Sequence, residues 1–155
     1  PHEDQPVESM VVFGRAARQI GQAKAASEGR VGGLDLELRP TDRVGELLEA
    51  VPGLIATQHS GAGKGNQLFL RGFNLDHGTD FAAHLDGVPL NFRTHGHCQG
   101  YPDLHFLIPE IVESVDFRKG PYRADVGDFS SAGFSFMRTL GQQPEILLTS
   151  PLSFQ

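Results

Sequence analysis

His95, His97 and Cys98 fall within four residues of one another in the stretch Asn91 to Asp103 (NFRTHGHCQGYPD). Gly96 and Gly100 leave the intervening backbone free to fold around a common centre. Imidazole and thiolate are preferred ligands of zinc, copper and nickel, so the chemistry on offer is capture of a borderline transition-metal ion. His84 and His105 flank the stretch and His77 precedes it, placing five of the seven histidines between positions 77 and 105. Neither a CxxC nor an HExxH frame supports the HxH pair, and loop histidines also serve as ordinary hydrogen-bonding groups. His84 lies inside an extended apolar run and reads as a satisfied core histidine.

Other chemistries find less support. Ser60 to Asn66 (SGAGKGN) invites a phosphate-loop reading, but Gln58 stands where the first glycine belongs and no Ser or Thr follows Lys64. It reads as a flexible loop. Glu110, Glu113, Arg118 and Arg123 could form an acid–base set, yet no nucleophile or cofactor anchor accompanies them, so a structural ion-pair network is the reading. No catalytic residue is assigned. A net charge of −6 with scattered Lys and Arg excludes a nucleic-acid surface. One cysteine rules out an intrachain disulfide. No apolar run approaches the roughly 20 residues of a membrane helix, and no signal peptide opens the chain.

The elements that must carry these loops are short. With 39% hydrophobic residues, 19 Gly and 10 Pro in 155, one modest core with many turns is expected. Gln67 to Arg71 and Phe81 to Leu85 read as buried strands. Gly72 ends the first, where a positive φ is expected. Asp86-Gly87 turns the chain before Val88-Pro89-Leu90 resumes an extended path. Glu110 to Arg118 reads as a strand with Val112, Ser114, Asp116 and Arg118 on one face and Ile111, Glu113, Val115 and Phe117 on the other. Gly133 to Thr139 supplies a last strand. Leu34 to Leu38 alternates apolar and acidic residues and also reads as a strand. Pro40-Thr41-Asp42 caps an amphipathic helix carrying Val44, Leu47, Leu48 and Val51, which Pro52-Gly53 stops. Leu104 to Ile108 reads as a helical turn, and Arg15 to Gly33 as a short helix or a tether. Pro1 to Pro6 is polar, and Met10 to Phe13 is a β-prone island, either an edge strand or a segment that adds to another protein's sheet.

Three ordered signatures carry a family resemblance: RGF at Arg71 to Phe73, LDGVPLN at Leu85 to Asn91, and IVESVDFRKGP at Ile111 to Pro121. Together they resemble the plug domain of TonB-dependent outer-membrane receptors over most of Pro40 to Thr139. LLEAVPGLIATQ resembles that family's leucine-rich helix ending in proline-glycine. Lys119 departs from the family's arginine-glycine-proline turn. Tyr122 to Phe136 matches loosely, with Asp125, Asp128 and Phe129 where small residues are usual.

The resemblance implies an α+β fold with a small mixed four-stranded sheet, short helices, long loops and no membrane span in this chain. It divides the chain into a flexible segment 1–33, a plug 34–140 and a tail 141–155 that is a linker, an appended tail or the start of a barrel. It implies a removed leader, barrel strands outside this chain, and an outer-membrane location with the N-terminus periplasmic. Glu8, Ser9, Met10, Val11, Val12 and Phe13 then resemble a TonB box, captured as an added strand by the TonB C-terminal domain. The loops at Leu75 to Asp80 and Asn91 to Asp103 resemble those that face outward and touch ligand. His77, Arg93, His95, His97, Gln99 and Tyr101 are the expected ligand contacts, with His95, His97 and Cys98 the metal set. Lys119 is expected to contact the barrel wall in place of arginine. The cargo implied is a zinc, copper or nickel ion, a ferric chelate or an organic nutrient. A stand-alone periplasmic metal-binding protein would explain the histidines but not the ordered signatures.

Overall fold

Runs of β-branched, aromatic and small apolar residues in the second half of the chain build the centre of the molecule. The structure, a computed structural model, describes residues 20–58, 61 and 63–141. Strands β1 (Gln22–Ala25), β2 (Glu28–Gly32), β6 (Phe81–Leu85), β7 (Val88–Pro89), β8 (Val112–Lys119) and β9 (Gly133–Thr139) form one sheet in the order β1-β2-β8-β9-β6-β7. The pairing of β6 with β9 is parallel and the rest are antiparallel, so the sheet is mixed. It is mixed as expected but has six strands where four were expected; of its four central strands, β6, β8 and β9 were read from the sequence and β2 was not. β3 (Leu54–Thr57), β4 (Gln67–Leu70) and β5 (Phe73–Asn74) make a second, antiparallel sheet.

Alternation along the central strands gives the main sheet two unlike faces. Val115, Phe117, Met137, Ala83 and Phe81 turn inward and join Leu47, Leu48, Leu54, Leu68 and Leu70 in one core. Each fully buried Leu or Phe there contributes about 1.5–3 kcal/mol. The opposite face is charged and aromatic. On it Arg30, Asp116, Phe136 and His84 lie side by side across β2, β8, β9 and β6. Arg30 holds Asp116 through two bonds of 2.7 and 2.6 Å, and Arg118 pairs with Glu28 at 3.0 Å. The ion-pair network is therefore real, but its partners come from β2 and not from Glu110 or Arg123.

Several sequence expectations change. Gln22 to Gly32 forms β1 and β2 in place of a helix or tether, because β2 finds the edge of β8 along its whole length. Leu34 to Leu38 is not a strand. Gly33–Glu37 is a short helix, α1, fastened by the Asp35 carboxylate, which accepts from the amides of Gly21 at 2.5 Å and Gly32 at 3.3 Å. Val44–Ala50 is helical as expected but wound as a 3-10 helix. Its Gly45 sits against the Asn66 side-chain amide, where a Cβ would come within 2.3 Å. Leu104 to Ile108 forms no helix; Leu104 and Leu107 enter the core, and the 3-10 turn comes later at Pro109–Ile111. A register shift between Val112 and Ser114 breaks the expected two-face alternation of β8, so Val112 and Val115 both reach the core. Asp86 and Gly87, at φ 48° and 84°, make the expected turn between β6 and β7. Glu8 to Phe13, with the rest of 1–19, and 142–155 lie outside the described residues.

Candidate functional site

β6 and β9 start, and β8 ends, at the same end of the main sheet. Three loops therefore meet there: Leu75–Asp80 before β6, Asn91–Asp103 after β7, and Gly120–Ala132 between β8 and β9. Asn91 ties the first two together. Its Oδ1 accepts from Ala83 N at 2.8 Å, and its Nδ2 donates toward the carbonyls of Gly78 (3.0 Å), Phe81 (3.0 Å) and Gly100 (2.8 Å). Phe92 N donates to Tyr101 O at 3.0 Å and Gly100 N to Phe92 O at 2.7 Å, closing the second loop at its base. The third loop joins through Ser131 Oγ, which donates to Asp80, and Ala132 N, which donates to Asp80 O at 2.9 Å.

Within the first loop, Asn74 Oδ1 accepts the Asp76 amide at 2.8 Å, and Asp76 takes φ 49°. Asp tolerates this left-handed conformation better than most residues. The turn buries His77, a residue only 2% exposed, whose Nδ1 donates to Gly65 O at 2.9 Å. That bond leaves Nε2 as the unprotonated nitrogen of the neutral ring. Burial pushes the His77 imidazole below its ordinary value, against the raising effects of the Gly65 carbonyl and the Asp76 carboxylate.

The second loop folds back over this histidine. The His97 ring packs edge-on against His77 at 4.5 Å. His95 stacks on Tyr101 at 4.1 Å and 11°, while the Tyr101 hydroxyl accepts from Gly65 N. Three of the five clustered histidines thus converge around one tyrosine. The other two do not. His105 Nδ1 bonds Asp103 Oδ1 at 2.6 Å, and His84 lies on the charged face, tilted against Phe136 at 4.5 Å.

His84 is not the satisfied core histidine expected, because its Nδ1 is buried without a hydrogen-bond partner among the described residues. Burial lowers its pKa, and the nearby Ser135 backbone offsets only part of that.

The expected metal set is only partly assembled. Asp76, His97 and Cys98 each present a ligand atom, all within 4.8 Å of one another. His95 is not in this group: its ring is engaged with Tyr101, and its Nδ1 accepts the His97 amide at 3.2 Å. Asp76 is the member that sequence reasoning missed, since it lies 21 positions before His97 and enters only through the Asn74 turn. Burial and the Asp76 charge push the Cys98 thiol up, and the His77 backbone opposes them.

The sequence model of the TonB-dependent receptor plug domain matches residues 22–134. The chain belongs to this family. Solved structures share the fold. The siderophore receptor PirA from Acinetobacter baumannii superposes with a TM-score of 0.56 at 22% identity, covering 76% of this chain and 18% of that one. The ferric enterobactin receptor PfeA from Pseudomonas aeruginosa gives 0.54 at 20% identity, covering 75% and 18%. The copper transporter OprC gives 0.57 at 16% identity, covering 81% and 18%. The chain spans about a fifth of the length of the solved receptors it matches.

The remaining expected positions of the plug sit apart from the histidine cluster or at its rim. Arg93 reaches Asp128 at 4.0 Å with both side chains largely exposed, a contact worth little on its own. Gln99 is exposed near the base of the second loop. Lys119 does not point outward as the barrel-contact reading expected. Its side chain is buried, with Nζ donating to Pro52 O at 3.2 Å and lying 5.7 Å from the Phe117 ring. Burial, helped by Arg71, lowers its pKa. No described helix is long and apolar enough to cross a membrane.

Proposed function

We propose that this plug gates a TonB-dependent outer-membrane transporter, a transport role and not an enzymatic one. Ligand is taken by the surface that Leu75–Asp80 and Asn91–Asp103 form together, and Glu8 to Phe13 couples the gate to TonB. The observation that carries the ligand reading is the convergence of His77, His95, His97 and Tyr101 at one end of a plug-family sheet. Occupancy of these loops is transmitted through Asn91 to the start of β6 and the end of β7. TonB then captures the N-terminal segment as an added strand, and traction on that segment rearranges the domain inside its barrel. Siderophore and copper receptors among the structural neighbours support a metal or metal chelate as cargo.

Titrating the 155-residue chain with the TonB C-terminal domain tests the coupling. The wild-type chain is expected to bind. Val11→Pro, which removes a ladder donor, is expected to abolish binding while leaving the thermal melt unchanged. Equal binding by the proline variant refutes the role given to this segment.

A further inference from the structure

The geometry points to a three-ligand metal site made of Asp76, His97 and Cys98, built for a zinc-class divalent cation with its fourth position open. The site stands on the placement of these three side chains. That its metal is cargo, or bridges to cargo, rests on the ligand-loop reading above.

Carboxylate oxygen, imidazole nitrogen and thiolate sulfur together suit a borderline ion. Hard magnesium or calcium would call for oxygen ligands alone, and copper(I) for more sulfur. Zinc holds such atoms at about 2.0–2.3 Å, which sets ligand–ligand separations of about 3.3–3.8 Å around a tetrahedral centre. The three ligand atoms already lie within 4.8 Å of one another, so closure needs movement of about 1 Å. The loop can supply it. A Cβ at Gly96 would meet nothing within 4 Å, and His97 and Cys98 follow directly. Asp76 is the fixed member, held by the Asn74 turn on one side.

One outer contact of the kind metal sites use is present: the His77 backbone N–H donates to the Cys98 sulfur. His97 is exposed while Asp76 and Cys98 are half-buried, so the metal would enter from the loop side. Three protein ligands with one open position differ from a closed four-ligand structural site. They let a metal arrive with, or be passed to, another donor.

Titration of the reduced 155-residue chain with zinc(II) by calorimetry tests the site, with cobalt(II) as the spectroscopic probe. One zinc per chain at micromolar affinity or tighter is expected, with cobalt giving a thiolate charge-transfer band. Cys98→Ser should remove that band. Asp76→Asn and His97→Ala should each weaken zinc by roughly tenfold or more, and His95→Ala by less than about threefold. Circular dichroism and thermal melts on each variant separate ligand loss from unfolding. No zinc binding overturns the site, as does binding that survives Asp76→Asn or that requires His95. A chain that binds TonB but no zinc leaves the transporter reading standing. A chain that binds zinc but not TonB leaves the metal site standing.

Discussion

Replacing Asn91 measures how firmly the loops Leu75–Asp80 and Asn91–Asp103 are held to the sheet. The side chain accepts one bond from Ala83 N and spreads two amide hydrogens over the carbonyls of Gly78, Phe81 and Gly100 at 2.8–3.0 Å. That amounts to about three net hydrogen bonds, at about 1 kcal/mol each. Asn91 is half-buried, so water restores part of the loss in Asn91→Ala, and the expected destabilisation is about 2–3 kcal/mol. Asn91→Asp keeps the shape but removes both donors and sets a carboxylate against three carbonyl dipoles. It is expected to cost more than alanine does. Urea unfolding followed by circular dichroism reads both. With a slope of about 2 kcal/mol per molar, the alanine midpoint should fall by about 1–1.5 M. An alanine loss below about 0.5 kcal/mol, or an aspartate variant more stable than the alanine one, would refute the reasoning.

Gly78 has φ 96°, and a Cβ there would meet Pro102 Cδ at 2.3 Å, so Gly78→Ala combines left-handed strain with a clash between the two loops. A loss of at least about 2 kcal/mol in the same urea assay is expected, with the His77 and His97 rings driven apart. Acid should weaken the fold through His84, whose lowered pKa means that the unfolded chain binds more protons. Stability is then full above about pH 6.5 and falls as pH drops toward the folded-state value. Comparing urea midpoints at about pH 7.5 and about pH 5.5 should show this decline, and His84→Gln should make it shallower.

What could be read from sequence was what local chemistry decides. Gln67–Leu70, Phe81–Leu85 and Gly133–Thr139 are apolar runs that burial alone makes strands, and Asp86-Gly87 carries its own turn geometry. β1 and β2 were illegible because QAKA and EGRVG have almost no apolar pattern. What holds β2 is the neighbouring strand β8 and the pairs Arg30–Asp116 and Arg118–Glu28, formed between residues 86 and 90 positions apart. LDLEL carried a period-2 pattern, yet the Asp35 carboxylate bonds the backbone before it and selects a helix instead. At the site, the tight HGHC spacing directed attention to the loop. It could not tell that His95 would stack on Tyr101 while Asp76 took its place beside His97 and Cys98. Side-chain direction in a loop is set by the partners that tertiary folding brings, and spacing does not encode them.

The ends of the described chain attach to the sheet at unequal depths. The N-terminal lead enters β1, an outermost strand whose four residues are all exposed and which bonds only to β2. The C-terminal lead leaves β9, flanked by β8 on one side and β6 on the other. Tension between the two ends therefore loads the molecule like a page torn from its margin. The first rungs to fail are those joining β1 to β2, then those joining β2 to β8, while the seam of β8, β9 and β6 under the histidine loops carries force last. A pull on the N-terminal lead thus peels the edge of the sheet before it loads the end where the histidine loops sit.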